Sequence, residues 1–499
     1  MELDSLLVFN AVTVGVCVLL LMLLVRWVTH RPANLPPSPP GYLIVGHIPL
    51  LLKEKPEDLY RELRAQYGDV FCLKLGRTYS VVINGCDALR DAFVKQGDDF
   101  SDRPSGSYLL SYLMKNKGIV ASSGEHWKRT RTLSIACLRE FGFGKKTLEG
   151  RVLEEVEAFL GVINEQNGKP YNANRLIETA VSNVICSIVF GDRFEYDDDK
   201  FKKLLALLEK LFSLIPFRGC INVIPWLRYF PGDLIGIKLF TKVFHAVRDF
   251  IQEEIAEHKR TLDEGNIRDF IDAFLREKSK HELNDPVFDD FNIEISVMNL
   301  FVAGTGTTAA TTQWAILYLL HYPDIQIKLR GEISSVVGTG RYPSLNDKPN
   351  MPYYQAFITE VSRKGNIAPV GLPYGAKHDI QFRGMTIPKG SLITANLDSV
   401  LMDPTMFPDP AKFDPNRYLG NDGQLTGKEK QVLTFSLGRR VCMGESLARL
   451  ELFLILTSLV QRFDLVPADP DDLPTLLPVP GATLPQPFEF RAVLKTNKA

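Results

Sequence analysis

The segment Phe435-Ser436-Leu437-Gly438-Arg439-Arg440-Val441-Cys442-Met443-Gly444 runs directly into ESLARLELFLILTSLVQRF, and this junction restricts the fold more than any other stretch. The second part reads as a helix that is apolar around most of its circumference, so it has to be buried. Cys442 then lies just before the first turn of an interior helix. Free N–H groups and the positive end of the helix dipole there favour thiolate over thiol. A buried thiolate needs a cation, and haem iron is one that cysteine binds as an axial ligand. Gly438 and Gly444 let the backbone approach both porphyrin and sulfur. Hydrogen bonds to the sulfur would tune the iron, and Arg440 can reach a propionate from the same loop. The plainer alternative, an inert buried thiol, leaves the surrounding pattern unexplained.

A second feature stands at the other end. Leu6 to Val25 carries no charge over 20 residues, long enough as a helix to cross a bilayer. Glu2 and Asp4 precede it and Arg26, His30 and Arg31 follow, which places the downstream chain on the cytosolic side. The acidic start and the lack of a small-residue cleavage site favour a retained anchor over 1–30 rather than a signal peptide. Five prolines within 31–41 then read as a semi-rigid spacer between membrane and body. The remaining 42–499 has a globular composition. Lys plus Arg number 58 against 59 Asp plus Glu, so there is no global basic field to gather nucleic acid. The seven cysteines, 17, 72, 86, 137, 186, 220 and 442, form no C-x-x-C and no regular spacing, which argues against a disulfide framework or a zinc site.

Val70–Leu75 and Tyr79–Asn84, joined by Gly76-Arg77-Thr78, read as a hairpin. From about Leu148 to Leu320 apolar residues recur at three and four spacing, predicting a mainly helical body. The apolar interval Leu214–Pro231 is expected either to touch the membrane or to roof a pocket, or else to pack beneath helices. Beyond Lys377 the chain turns extended and Pro/Gly-punctuated. The fold class expected is mainly α with a smaller β-rich region, one large domain behind the anchor.

The Cys442 segment resembles the haem-binding loop of the cytochromes P450, F-x-x-G-x-R-x-C-x-G, and three further segments agree in the order that family requires. Glu360-Val361-Ser362-Arg363 resembles its E-x-x-R helix, and Pro415-Asn416-Arg417-Tyr418 its second-arginine segment, which implies a structural triad of Glu360, Arg363 and Arg417. Phe301-Val302-Ala303-Gly304-Thr305-Gly306-Thr307-Thr308 lies midway along a helix expected from about Asn292 to His321. Two glycines beside a threonine run imply a local opening of the backbone there; by resemblance Thr307 is the catalytic threonine that relays protons during oxygen activation, with Ala303 against the cofactor. Trp127-Lys128-Arg129-Thr130-Arg131 resembles the W-x-x-x-R helix, whose ends meet a haem propionate, and Arg103 is a further candidate for that role. Six basic residues within 128–146 (Lys128, Arg129, Arg131, Arg139, Lys145, Lys146) against Glu140 would suit an acidic electron-transfer flavoprotein, with Arg439 contributing.

Two positions depart from the family pattern in ways that matter, and a third in a minor one. Gly306 stands where Asp or Glu usually precedes the threonine, and Tyr374 where histidine commonly faces a propionate; Thr434 replaces a frequent proline. The segments FSDRP, EVSR, NRYLGNDGQL and FSLGRRVCMGESLAR most resemble family 2 of the animal microsomal enzymes. The resemblance implies a haem-thiolate monooxygenase on the endoplasmic reticulum membrane. It would use haem b, electrons from NADPH through a flavoprotein reductase, and cytochrome b5 as a further partner. Its lipophilic substrate, a fatty acid, steroid or xenobiotic, would meet Phe301, Val370, Leu372 and Thr483. Alternatives are a haem-thiolate isomerase or dehydratase acting on hydroperoxides, motivated by Gly306, and a non-enzymatic haem protein.

Overall fold

The computed structural model describes residues 12–20, 22, 32–42, 44–53, 55–104, 108–143, 148–214, 222, 229, 232–233, 236–282, 284–479 and 482–495. Eleven helices of ten residues or more lie among them: α1 Pro56–Tyr67, α2 Gly124–Glu140, α3 Glu149–Glu165, α4 Asn174–Val189, α5 Asp199–Leu214, α6 Ile237–Thr261, α7 Phe270–Ser279, α8 Asp290–His321, α9 Pro323–Val336, α10 Pro352–Gly365 and α11 Glu445–Arg462. The three and four spacing read in the sequence is the buried face of these helices: α6 buries Ile237, Phe240, Val243, Phe244, Val247, Phe250, Ile251 and Ile255. The largest buried cluster joins α2 to α11, with Phe274, Val297, Phe357 and Phe453 deep within it, while α1 packs in a separate cluster with β1.

The β-rich region is a four-stranded sheet, two two-stranded pairs and their turns. β1 (Val70–Leu75) and β2 (Thr78–Ile83) pair antiparallel from Val70↔Ile83 to Leu75↔Thr78. Thr78 belongs to the strand, so the hairpin turn is one residue shorter than Gly76-Arg77-Thr78: only Gly76 and Arg77 remain in it. β3 (Tyr374–Gly375) and β6 (Leu392–Ala395) complete this sheet in the order β1-β2-β6-β3, with β6 parallel to β2. β4 (Ile380–Phe382) and β5 (Met385–Ile387) form a hairpin whose two turn residues, Arg383 and Gly384, both have positive φ, the geometry that matches strand twist in a tight hairpin. β7 (Phe463–Pro467) and β8 (Phe490–Leu494) close the C-terminal end.

The proline-rich spacer does not stand free of the body. The Cys72 N–H donates to Pro37 O at 2.8 Å and the Thr386 N–H to Asn34 O at 2.7 Å, so 32–41 is stitched onto β1 and β5. Among the described residues no helix is long and apolar enough to cross a membrane. Val12–Leu20 is helical; apart from Met22, the rest of the expected anchor within 1–30 lies outside the described residues. So does most of the 214–231 interval.

One contact between α4 and α5 carries a pH signature. Arg175 on α4 reaches Glu209 on α5 at 2.9 Å and its own neighbour Glu178 at 3.7 Å. Burial pushes the Glu178 carboxyl up to about 7, against the pull of Arg175 and helped by the charge of Glu209. Because the folded value lies above that of an unfolded glutamate, the folded chain holds the extra proton between the two values; stability therefore falls as pH rises through that window and levels off above it. Glu178→Gln is expected to unfold at a higher temperature than wild type near pH ~8 and at the same temperature near pH ~5, read by thermal unfolding at both.

Candidate haem-thiolate site

The loop before α11 is built around one closing hydrogen bond, Cys442 N–H to Phe435 O at 3.0 Å. Ser436 and Gly438 both take positive φ inside it, and a Cβ on Gly438 would lie 2.0 Å from Phe93 O. Glycine is therefore the residue that lets this turn seat against the Phe93 segment. The Phe435 ring carries the Arg449 guanidinium 4.9 Å from its centroid. A Cβ on Gly444 would stand 3.9 Å from the Cys442 sulfur, so the glycine keeps the space beside Sγ clear.

Cys442 is open to solvent on one side, while protein crowds the other. That burial raises the thiol's pKa, outweighing the N–H groups of Gly444 and Glu445 and the charge of Arg131 that favour thiolate. The expected pull of the helix-start N–H groups toward thiolate is present but is outweighed by burial. The amides are in place, and a bound metal cation would add the stabilisation that desolvation removes from the thiolate.

Around this loop the structure gathers cations without counter-ions. Arg440 is buried, its guanidinium 3.8 Å over the Trp127 ring. It donates to Ser101 O, Ile119 O and Ser122 O at 2.8, 3.1 and 2.6 Å. Arg103 donates to Val120 O, Leu372 O and Pro373 O and stacks on Tyr374 at 4.6 Å. Arg131 donates to Val441 O at 2.7 Å. Among the described residues none of the three has a carboxylate within 4 Å. Burial lowers the pKa of each, that of Arg440 to about 8 with the nearby Arg103 adding to the effect. The Trp127 Nε1–H is buried with no partner among the described residues. A set of desolvated cations plus one orphaned donor calls for an anion, and two propionates beside a sulfur-ligated iron satisfy it, so these residues fit haem. Arg440 does double duty: three of its five donors are already spent on carbonyls, leaving two for such an anion. Tyr374 is buried in β3 with its ring 4.7 Å from Phe93.

Across from the loop's helix, α8 is buried along most of its length, yet Ala303 and Thr307, one turn apart, are exposed midway. An otherwise buried stretch of helix bared at these two positions faces open space there. The expected backbone opening is not there: α8 runs helical without interruption from Asp290 to His321. The hydroxyls of Thr305, Thr307, Thr311 and Thr312 each donate to the carbonyl four residues back at 2.9 Å, keeping the threonine run within helical geometry. The glycines serve packing instead. A Cβ on Gly304 would be 3.1 Å from Ile185 of α4, and one on Gly306 would be 2.5 Å from the Phe212 ring of α5.

Glu360, Arg363 and Arg417 come together. Glu360 and Arg363 on α10 are both 0% exposed and share two hydrogen bonds, 2.8 and 2.7 Å. Arg417 Nε adds a third at 3.1 Å, and the Asp414 N–H and Tyr418 O–H fill the remaining acceptor sites at 3.0 and 2.8 Å. The spare arginine donors go to Leu401, Pro408, Pro410 and Lys412 carbonyls. Tyr418 is the member that sequence reasoning missed; its place beside Arg417 in the same segment was the available signal.

Other expected residues sit differently. Phe301 is fully buried, its ring 5.7 Å from Phe190 in the helical core, because at its place on α8 it faces α4 and α6 rather than the open side of Ala303 and Thr307. The Thr483 hydroxyl is tied to Ile367 O at 2.8 Å, and Val370 packs beside the α1 and β1 cluster. Leu372 is 45% exposed. The basic patch is thinner than its sequence: Arg129 pairs with Asp285 and Arg439 with Asp98, while Lys145 and Lys146 lie outside the described residues.

A family model for Cytochrome P450 matches residues 36–490. Over 490 residues the chain is 38% identical to Cytochrome P450 2C3 of Oryctolagus cuniculus, covering 96% of this chain and 98% of that one. It is 38% identical to Cytochrome P450 2J2 of Homo sapiens, covering 89% of this chain and 88% of that one. It is 36% identical to Cytochrome P450 2B2 of Rattus norvegicus, covering 94% and 96%. A sulfur at the head of a buried helix, a ring of counter-ion-free arginines and a near full-length match lead to one assignment: the chain belongs to the cytochrome P450 family.

Proposed function

We infer that the protein is a haem-thiolate monooxygenase that inserts one atom of dioxygen into a lipophilic substrate. The observation that carries this is the arrangement around Cys442: an accessible sulfur facing two amide N–H groups, with Trp127, Arg103, Arg131 and Arg440 holding unspent donors nearby. Haem b bound through Cys442 supplies the one-electron and oxygen chemistry. The chain's own residues do the rest. Trp127, Arg103, Arg131 and Arg440 bind and orient the propionates, and the Tyr374 ring lies beneath Arg103 on the same side. Phe435, Gly438 and Gly444 shape the loop, and Ala303 leaves room above it. Thr307 Oγ holds a proton that it now donates to Ala303 O; turning the hydroxyl frees it to relay protons from water, with no carboxylate at Gly306 to assist. Glu360, Arg363 and Arg417 hold the frame.

Electrons come from NADPH through a flavoprotein reductase, with cytochrome b5 a second donor; the docking face is the proximal surface around Lys128 and Arg139, both exposed. The chain is organised as an anchor (1–30), a spacer (31–41) and a catalytic domain (42–499) on the cytosolic face of the endoplasmic reticulum. Substrate is a fatty acid, steroid or xenobiotic, bound near Leu372 and the bared stretch of α8. Product formation is expected to require NADPH and reductase. Equal activity on a hydroperoxide with neither present would instead support the isomerase or dehydratase reading.

A further inference from the structure

We propose that His258 and Asp269 form a proton-operated latch: while the pair holds one shared extra proton it fastens the last turn of α6 to the start of α7, and loss of that proton on the alkaline side releases the 262–268 turn between them. None of these residues belongs to the haem-thiolate site. His258 is 5% exposed, and Asp269, the residue that caps α7, is 0% exposed. The ring reaches two partners at once: Nε2 lies 2.9 Å from Asp269 Oδ2, and Nδ1 lies 2.7 Å from Glu254 O. A carboxylate and a carbonyl are both acceptors, so both contacts need hydrogen between the atoms. A neutral ring beside an ionised carboxylate has one N–H, and in either tautomer it turns a lone pair onto the other oxygen. The carboxylate is committed as well. Asp269 Oδ1 accepts from the Asp272 N–H at 3.0 Å, and a Cβ on Gly191, at positive φ just after α4, would stand 2.8 Å from Oδ2. Three segments thus converge on one buried carboxylate.

The charges around the ring point the same way. Asp272 of α7 lies beside the pair and takes two hydrogen bonds from the Arg268 side chain, at 2.6 and 2.9 Å; Asp192, next to Gly191, faces Arg268 in turn. The other nearby charges are engaged elsewhere: Glu254 with Lys200 of α5, Lys259 with Asp290 of α8, and Arg260 with Glu257. With the extra proton in place, His258 and Arg268 balance Asp269 and Asp272; without it, two fully buried carboxylates share one cation. Burial opposes a charged ring, but the Asp269 bond and charge, with Glu254 O and Asp272, outweigh it and raise the His258 pKa. A histidine raised in the folded state lends stability below its unfolded value and loses it as pH rises through the folded one. The same step weakens the cap on α7 and the tie to α6 together, because one carboxylate serves both.

The test uses the full-length holoprotein. Deuterium exchange at the histidine ring Cε1, followed by mass spectrometry over a pH series, reads the titration of His258 in the unsubstituted chain. A midpoint above that of histidine in a short unfolded peptide is expected; one at or below it would overturn the proposal. Thermolysin cleavage at Leu262 or Ile267 reads the release of the turn, with rates divided by those on an unfolded peptide at the same pH. Below the measured midpoint the unsubstituted chain is expected to be cut about tenfold more slowly than His258→Gln, and above it at the same rate. A ratio that is equal on both sides of the midpoint would make the pair a fixed packing contact and overturn the latch. Should His258→Gln fail to fold, the unsubstituted chain decides alone: its corrected cleavage rate rises through the midpoint if the latch exists, and a flat profile would overturn it.

Discussion

Replacing Glu360 by alanine is expected to destabilise the folded chain by about 3–5 kcal/mol, the scale on which a buried charge pair is broken by removing one partner. Glu360 is the only carboxylate bonded to Arg363 and Arg417 among the described residues, and it accepts from the Asp414 N–H and the Tyr418 hydroxyl as well. Its loss leaves two arginines, one of them wholly buried, with carbonyls alone to offset their charge. That is a large part of the ~5–15 kcal/mol margin of a folded domain. Tyr418→Phe removes one bond to the same carboxylate and should lose about 1.5–3 kcal/mol, the value for a hydrogen bond to a charged group. Half-lives of the holoprotein at a fixed elevated temperature check the order, because a protein of this size is compared safely by its unfolding rate. If Glu360→Ala is no worse than Tyr418→Phe, the triad does not clamp α10 to the Arg417 segment.

Cys442→Ser is expected to lower NADPH-supported product formation by at least about a thousandfold, equivalent to ~4 kcal/mol of barrier. Serine keeps the size and the hydrogen-bonded loop, yet its hydroxyl does not become the electron-rich ligand that a thiolate is. Burial raises the Cys442 pKa, a cost that a bound cation would offset for a thiol, whereas a ligand less readily deprotonated has no equivalent compensation. The measurement is turnover per bound haem, which separates lost chemistry from lost cofactor. Turnover within tenfold of wild type would mean that Cys442 is not the ligand.

What the sequence made legible was local. The Phe435–Gly444 loop, the β1–β2 hairpin and the helices from α3 to α8 were readable because spacing, turn residues and glycines act within a few positions of one another. Glu360, Arg363 and Arg417 were readable only through resemblance, since an i, i+3 Glu/Arg pair is ordinarily a surface pair of little worth. What escaped was long-range. The rotation of Phe301 into the core depends on where α4 and α6 pack against α8. The pairing of Arg129 with Asp285 and of Arg439 with Asp98 joins positions far apart in the chain, so counting charges along 128–146 overstated the patch. Gly306 illustrates the difference most clearly. Along the chain it was a gap in a proton route; in three dimensions it is the seat of a phenyl ring from α5.

The most direct test of the central claim, that Cys442 binds haem iron as thiolate within this arginine-ringed loop, is the absorption spectrum of the reduced, carbon monoxide-bound holoprotein. The account predicts the strongly red-shifted Soret band of thiolate ligation in the wild-type chain and its disappearance in Cys442→Ser. A Soret band at the unshifted position in freshly prepared wild-type protein, or a red-shifted band that survives in Cys442→Ser, would contradict it.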